Sequence, residues 1–260
     1  MPVRVRIGTS GYSFEDWRGT FYPEGLPKGE MLSYYAGHFD IVEINSTYYR
    51  IPSPYTFHRM LQKVPEGFGF TVKVPKEWTH EGRGEEVAGP FRDAIAPLVE
   101  AEALLGLLAQ FPWRFRNTPE NRDYLLRSRE WAGDIPLFVE FRHISWLKPE
   151  VLDLLRKEGM GFVSVDEPGL RGLLPPEFFL TTDVGYVRLH GRNAKTWWDG
   201  GAERYDYLYS EEELRGWAER IRRRREEMRE CWVFFNNCHR GQAAQNALQM
   251  KMLLEDNKPQ

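Results

Sequence analysis

The chain has 260 residues, a formal net charge of −3 and 28% charged side chains. That length suits one (β/α)8 barrel, and the near-balanced charge offers no basic field for nucleic acid or an anionic membrane. Two cysteines, Cys231 and Cys238, are too few for a disulfide framework or a structural zinc site and read as reduced thiols of a cytoplasmic protein.

Val3–Gly8 reads as a first strand, with Val5 and Ile7 on one face and Arg4 and Arg6 on the other. The N-terminal stretch lacks the apolar core of a signal peptide. A loop, TSGYSFEDWRGTFYP, leads to a helix near Glu30–His38. Asp40–Asn45 is the second strand, setting Val42 and Ile44 against Glu43 and Asn45. Asn45-Ser46-Thr47 matches a glycosylation sequon, a chance match in a cytoplasmic chain. Ser53 and Pro54 open the next helix as N-cap and first-turn proline, followed by Phe57, Met60, Leu61 and Val64 at helical spacing. Gly69–Val74 is the third strand, with Thr71 and Lys73 on its polar face. Residues 75–89 read as a polar loop, long enough to imply a function. A helix over Phe91–Ala101 leads to strand four, Leu104–Gln110. That strand's apolar run, near Ala103–Leu108, is far short of a membrane span.

Helix Glu120–Trp131 leads to strand five, within PLFVEFRHISW at 136–146. Leu137, Val139 and Phe141 oppose Phe138, Glu140 and Arg142 there. Pro149–Glu158 is a helix, and Gly161–Asp166 a sixth strand with Val163 and Val165 against Ser164 and Asp166. Residues 167–184 are Pro-rich and irregular. Strand seven, GYVRLH at 185–190, sets Val187 and Leu189 against Arg188 and His190. A second long loop reaches Tyr209. Ser210 and Glu213 form a capping box for a helix to about Arg229. Its run Arg222–Arg225, followed by Glu226 and Glu227, reads as an ion-paired solvent face. Trp232–Asn236 is strand eight, and a last helix covers Gln242–Leu254. Strands alternating with helices, with no linker or low-complexity segment, predict a single-domain α/β TIM-like (β/α)8 barrel over 1–260.

In such barrels the C-terminal ends of the strands carry the active face. If the polar face of each strand points inward, one rim gathers Glu43, Asn45, Lys73, Gln110, Glu140, Arg142, Asp166, Arg188, His190 and Asn236. Three readings compete. The first is a buried ion-pair network, with Lys73, Arg142 and Arg188 neutralising Glu43, Glu140 and Asp166, and Arg6 below. Buried pairs stabilise less than apolar packing, so this many at one rim favour a site. The second is acid–base chemistry, a hydrolysis or isomerisation, on a small anionic or sugar-like molecule. Arg142, Arg188 and Lys73 would hold a phosphate or carboxylate; Glu43 and Glu140 would be the acid–base pair and His190 a proton shuttle. The third is a divalent metal on Glu43, Glu140, Asp166 and His190, which would make a phosphoesterase or nuclease. The interleaved arginines argue against it, and no cofactor is required by the sequence. A non-catalytic ligand sensor is the remaining class. Trp78–His80 and Trp197–Tyr209 could cover the mouth, where Trp197, Trp198, Tyr205, Tyr207 and Tyr209 could stack on rings. Ser10 and Ser164 sit in no nucleophile motif, and Cys238 beside His239 reads as incidental. The oligomeric state is not legible.

Six ordered motifs resemble the YecE-like family, the domain of unknown function seventy-two. They are G-T-S-G-Y…W-R-G…F-Y-P at Gly8–Pro23, V-E-I-N-S-T-Y-Y-R-I-P at Val42–Pro52, V-K with T-H at Thr79-His80, V-E-F-R-H-x-S-W at Val139–Trp146, V-R-L-H-G-R at Val187–Arg192, and F-F-N-N…G-x-A-x-x-N-A at Phe234–Ala247. The resemblance implies a TIM-like barrel without an established activity. It also implies Glu43, Asn45, Lys73, Glu140, Arg142, His143, Arg188, His190, Asn236 and Asn237 as the recurring polar set. Cys238 departs from it, where relatives carry an acidic or small polar residue.

Overall fold

Each of the eight predicted strands forms, and all pair in parallel: β1 (Arg4–Thr9), β2 (Ile41–Ile44), β3 (Gly69–Lys73), β4 (Leu104–Gln110), β5 (Leu137–Glu140), β6 (Met160–Asp166), β7 (Val184–Leu189) and β8 (Glu230–Phe235). The computed structural model describes residues 3–255; Met1, Pro2 and 256–260, the ends of the expected domain, lie outside the described residues. The strands run β1-β8-β7-β6-β5-β4-β3-β2 around a barrel. It closes between β1 and β2 at the mouth end, where an isolated bridge joins Ser10 to Glu43 and Gly11 N donates to Glu43 O at 2.8 Å. A Cβ on Gly8 would lie 2.3 Å from Ile41 O, so glycine is what lets these two strands approach.

The outer layer holds α1 (Met31–Ala36), α2 (Pro54–Leu61), α3 (Lys76–Thr79), α4 (Gly84–Glu100), α5 (Pro119–Ala132), α6 (Pro149–Lys157), α7 (Glu211–Arg223) and α8 (Gln242–Glu255). Both expected caps form: Ser53 accepts from Tyr55 N, and Ser210 and Glu213 complete a reciprocal capping box. Two expectations need correction. Residues 75–89 are mostly helical, being α3 and the first turns of α4, because Trp78 anchors them by packing on Phe91 and Trp131. The helix from Ser210 stops at Arg223, and residues 225–227 form a short 3-10 turn before β8 begins at Glu230. The β6–β7 connection is irregular, as its composition predicts; Pro168, Pro175 and Pro176 lack the backbone donors a helix would need.

The barrel's centre is aromatic where aliphatic layers are usual. Phe138 lies 4.9 Å from Trp232 and 5.2 Å from Tyr186, and Tyr186 lies 5.1 Å from Phe234, centroid to centroid. Small residues make the room: a Cβ on Gly161 would sit 2.2 Å from the Phe138 ring. That contact fixes the facing of β6. Gly161, Val163 and Val165 look inward, and Ser164 and Asp166 look outward to the surrounding layer. There Ser164 Oγ accepts from Phe179 N at 2.9 Å. At the other end Arg6 pairs with Glu230 at 2.6 Å, so it takes no part in the mouth.

Candidate active site at the C-terminal mouth of the barrel

The site's floor is an ion network resting on the aromatic centre. Arg188, from β7, grips Glu43 of β2 with two bonds, Nη2 to Oε1 at 2.6 Å and Nε to Oε2 at 2.9 Å. Its Nη1 donates to Glu140 Oε2 of β5 at 2.5 Å. Tyr186 donates its phenol proton to Glu43 Oε2 at 2.6 Å, so Thr71 Oγ1, 3.1 Å away, must donate to Tyr186. All of these side chains are buried. Burial opposes the charge on Glu140, yet Arg142, Arg188 and His190 hold its carboxyl well below the usual range. Burial likewise opposes the charge on Arg188, which Glu140 and Glu43 restore.

One step nearer solvent, Arg142 follows β5 and lies between two carboxylates. Its Nη2 is 2.6 Å from Glu140 Oε1, and its Nη1 donates to Glu167 Oε2 at 2.9 Å. Burial raises the Glu167 pKa to about 7, against the pull of Arg142. His190, at the end of β7, has Asn236 Nδ2 2.9 Å from Nδ1. An amide N–H there makes Nδ1 the acceptor and puts the ring proton on Nε2, which lies 3.3 Å from Glu140 Oε1. Burial, then Arg142, lowers the His190 pKa to about 3, so the imidazole is neutral at ordinary pH.

Lys73, at the end of β3, has neutral partners. Nζ donates to Gln110 Oε1 at 2.7 Å and lies 4.3 Å from the Tyr48 ring centroid. Burial, then the positive charge of Arg188, brings its pKa down to about 7. His80 stands edge-on to Tyr48 at 5.1 Å, its pKa lowered to about 4 by burial and by Lys73. Asn45, Lys73, Gln110, Arg142 and Asn236 are all part-exposed, so solvent reaches this ring while the floor stays dry.

Glu43, Lys73, Gln110, Glu140, Arg142, Arg188, His190 and Asn236 therefore converge as expected. Asn45 follows β2 on the same rim, its Oδ1 buried without a partner. Asp166 does not join them. It faces outward, where Arg192 binds it with two bonds (2.8 and 2.7 Å), Tyr209 donates at 3.0 Å and Trp217 of α7 at 2.5 Å. Asn237 is turned under the second loop, donating to Tyr207 O and Asn246 Oδ1. His143 sits at the rim, accepting from Ser145 N and packing against Trp113 at 5.1 Å. Of the expected covering residues, Trp78 is buried in the helix layer. Trp197 lies 5.8 Å from the Arg142 guanidinium, Trp198 rests edge-on against Trp113, and Tyr207 and Tyr209 pack together and bond Glu213 and Asp166. The Cys238 thiol donates to Ser10 O, and burial keeps it protonated.

Tyr186, Glu167 and Tyr48 are site residues that the sequence pattern did not single out, whereas His80 lies in the Trp78–His80 segment expected near the mouth. Tyr186 shares the alternation of Arg188 and His190, a signal that was available. Glu167 lies past the strand end, where alternation carries no information.

Three buried polar atoms lack a hydrogen-bond partner at one place: Glu140 Oε1, His190 Nε2 and Arg142 Nε. Glu140 Oε1 lies 2.6 Å from Arg142 Nη2 and 3.3 Å from His190 Nε2, close approaches that do not make aligned hydrogen bonds. Unsatisfied buried groups are costly, so three in neighbouring side chains single out this place within the mouth. Among the described residues, no three His, Cys, Asp or Glu side chains are arranged to hold a metal ion, and no helix is long and apolar enough to cross a membrane.

Comparison with known proteins agrees with this architecture. Residues 6–260 match the model for "Protein of unknown function DUF72". The chain is 32% identical to the UPF0759 protein YunF of Bacillus subtilis (strain 168), covering 96% of this chain and 95% of that one. It superposes on the crystal structure of a DUF72 family protein from Thermotoga maritima with a TM-score of 0.91 at 47% identity, covering 97% and 99% of the two chains. A DUF72 family protein from Enterococcus faecalis gives 0.88 at 30% identity, covering 98% and 97%. A putative vitamin-B12-independent methionine synthase from Listeria monocytogenes, 10% identical with a TM-score of 0.53, shares the fold alone. From motifs, barrel and relatives together, the chain belongs to the DUF72 family.

Proposed function

We propose that the mouth binds a small anionic or sugar-like molecule and performs acid–base chemistry on it, a hydrolysis or an isomerisation, in a cytoplasmic setting. The observation that carries this reading is that Glu140 Oε1, His190 Nε2 and Arg142 Nε, buried in side chains that lie against one another at the mouth, form no aligned hydrogen bond. Arg142 supplies the charge for a phosphate or carboxylate. The neutral His190 offers an Nε2 proton to a substrate oxygen. Glu140, kept ionised by Arg142 and Arg188, accepts a hydrogen bond from a substrate hydroxyl, and Glu167, with its raised pKa, suits either direction of proton transfer near neutrality. Glu43 has both oxygens engaged by Arg188 and Tyr186, so it acts as the anchor of Arg188. Trp113, Trp197 and Trp198 provide the aromatic cover that a sugar ring would meet.

A thermal-shift screen of metal-stripped protein against sugar phosphates and carboxylates tests this, with and without Mg²⁺ or Mn²⁺. A ligand at about a hundred times its Kd adds about 2.7 kcal/mol, a rise of very roughly 5–10 °C for a chain of this size. The expected result is a metal-independent rise with one anion class, lost in Arg142→Ala. A rise that requires metal would replace this reading with the phosphoesterase. A flat screen would overturn it.

A further inference from the structure

We propose that Lys73 is a nucleophile, its amine condensing with the carbonyl group of an anionic aldehyde or ketone, such as an α-keto acid or a ketose phosphate, to form a Schiff base. This deepens the function above and rests on the mouth being a ligand site.

The geometry separates Lys73 from the other cations of the mouth. Arg188 and Arg142 are each clamped between two carboxylates. Lys73 instead faces an amide oxygen and an aromatic ring, with two guanidinium groups nearby. Gln110 is fixed in orientation, since its Nε2 donates to Phe111 O, so its Oε1 accepts one N–H from Lys73. A neutral amine held by that bond keeps its lone pair for an electrophile. Glu140 and Glu43, the nearby carboxylates, are already engaged by Arg188. His80, edge-on to Tyr48, is neutral near pH 7 and adds no charge. A pKa near 7 leaves much of the Lys73 amine unprotonated at physiological pH, the condition for lysine nucleophiles. A lysine serving as a phosphate anchor would need the opposite surroundings. Arg142, on the same rim, would take the anionic group of the ligand.

The step balances. The Lys73 nitrogen adds to the carbonyl carbon and the C=O π electrons move to oxygen, which takes the proton released by nitrogen. The carbinolamine hydroxyl then leaves as water, with one further proton from solvent at the mouth, and the nitrogen lone pair forms the C=N bond of the iminium. No oxidant or reductant is consumed.

Trapping tests it. The full chain is incubated at pH 7.5 with pyruvate, dihydroxyacetone phosphate or neutral glycolaldehyde, each with cyanoborohydride, whose hydride reduces an iminium to a stable secondary amine. Peptide mapping by mass spectrometry then locates the adduct. The expected result is modification of Lys73 at least about ten-fold faster than exposed Lys157 and Lys195, as an amine unprotonated near neutral pH allows. Lys73→Arg should lose that adduct while keeping its melting temperature. Arg142→Ala should slow trapping of the two anionic probes and leave glycolaldehyde unaffected. Labelling of Lys73 no faster than of Lys157 with all three probes overturns the proposal. Melting temperatures raised by the anionic probes without a Lys73 adduct would remove the Schiff base and leave the mouth as a binding site. Neither a rise nor an adduct would remove both.

Discussion

Arg188 holds Glu43 with a two-bond grip, Nη2 to Oε1 at 2.6 Å and Nε to Oε2 at 2.9 Å, at a place where neither side chain meets water. The same guanidinium also bonds Glu140, so removing it strands two carboxylates. Arg188→Met should therefore destabilise the fold by about 3–5 kcal/mol, the range for breaking a buried pair from one side. Urea unfolding would measure this. Adding Glu43→Gln to that variant should recover part of the loss, because it removes one stranded charge. A loss below about 1 kcal/mol for Arg188→Met would mean the network carries little of the stability.

Asp166 should behave differently from its mouth-facing neighbours. It holds Arg192, Tyr209 and Trp217, tying the 191–209 segment to α7. Asp166→Asn is expected to lower stability by about 1–3 kcal/mol through the lost charge-assisted bonds. It should also speed proteolysis at Lys195 or Arg204, measured by limited trypsin digestion. Arg142→Ala should spare that segment and abolish the ligand response. Equal effects of the two variants on ligand response would mean the segment itself forms the site.

Two groups of the mouth should oppose each other in the pH dependence of stability. The folded pKa of His190, about 3, lies below its unfolded value. Its contribution is complete above pH 6.5 and is lost as pH falls toward 3. The folded pKa of Glu167, about 7, lies above its unfolded value. Its contribution is complete below pH 4.5 and is lost as pH rises toward 7. Between pH 4.5 and 6.5 these two slopes have opposite signs and at most about 1.4 kcal/mol per pH unit each; His80, its folded pKa also lowered, to about 4, adds a second slope of the same sign as His190, so the stability of the wild type should rise with pH there. Glu167→Gln should steepen that rise, and His190→Gln should flatten it. Lys73, with its folded pKa lowered to about 7, acts above that window, where stability should rise with pH toward 10.5. Denaturant midpoints across pH 4.5–6.5 check this, and parallel curves for the two variants would refute it.

The aromatic centre makes a prediction independent of the mouth. A methyl at position 161 would sit 2.2 Å from the Phe138 ring. Gly161→Ala should cost about 1–3 kcal/mol by overpacking, and Phe138→Leu in the same chain should return part of it. Thermal melts of the two single variants and the double variant decide the matter: additive losses would show that the two positions do not press on one another.

The sequence alone determined the eight strands, the two Ser caps and most of the mouth, because apolar alternation, capping chemistry and chain order are local properties. Alternation told which residues of a strand share a face. Tertiary structure decided which face looks inward, and β6 shows why. All seven of its residues are buried, since a parallel strand has the barrel on one side and helices on the other. Burial is then no guide to direction. What turned Asp166 outward was a distant partner set, Arg192, Tyr209 and Trp217, together with the Phe138 ring pressing on Gly161 from inside. The same reason accounts for residues 75–89. Their polar composition reads as loop, and Trp78, through contacts with Phe91 and Trp131 that only the folded chain supplies, draws them into helices. It accounts for Glu167 as well. No local pattern foretells that a residue past a strand end will meet Arg142 from the neighbouring strand, because that meeting is set by the closure of the barrel.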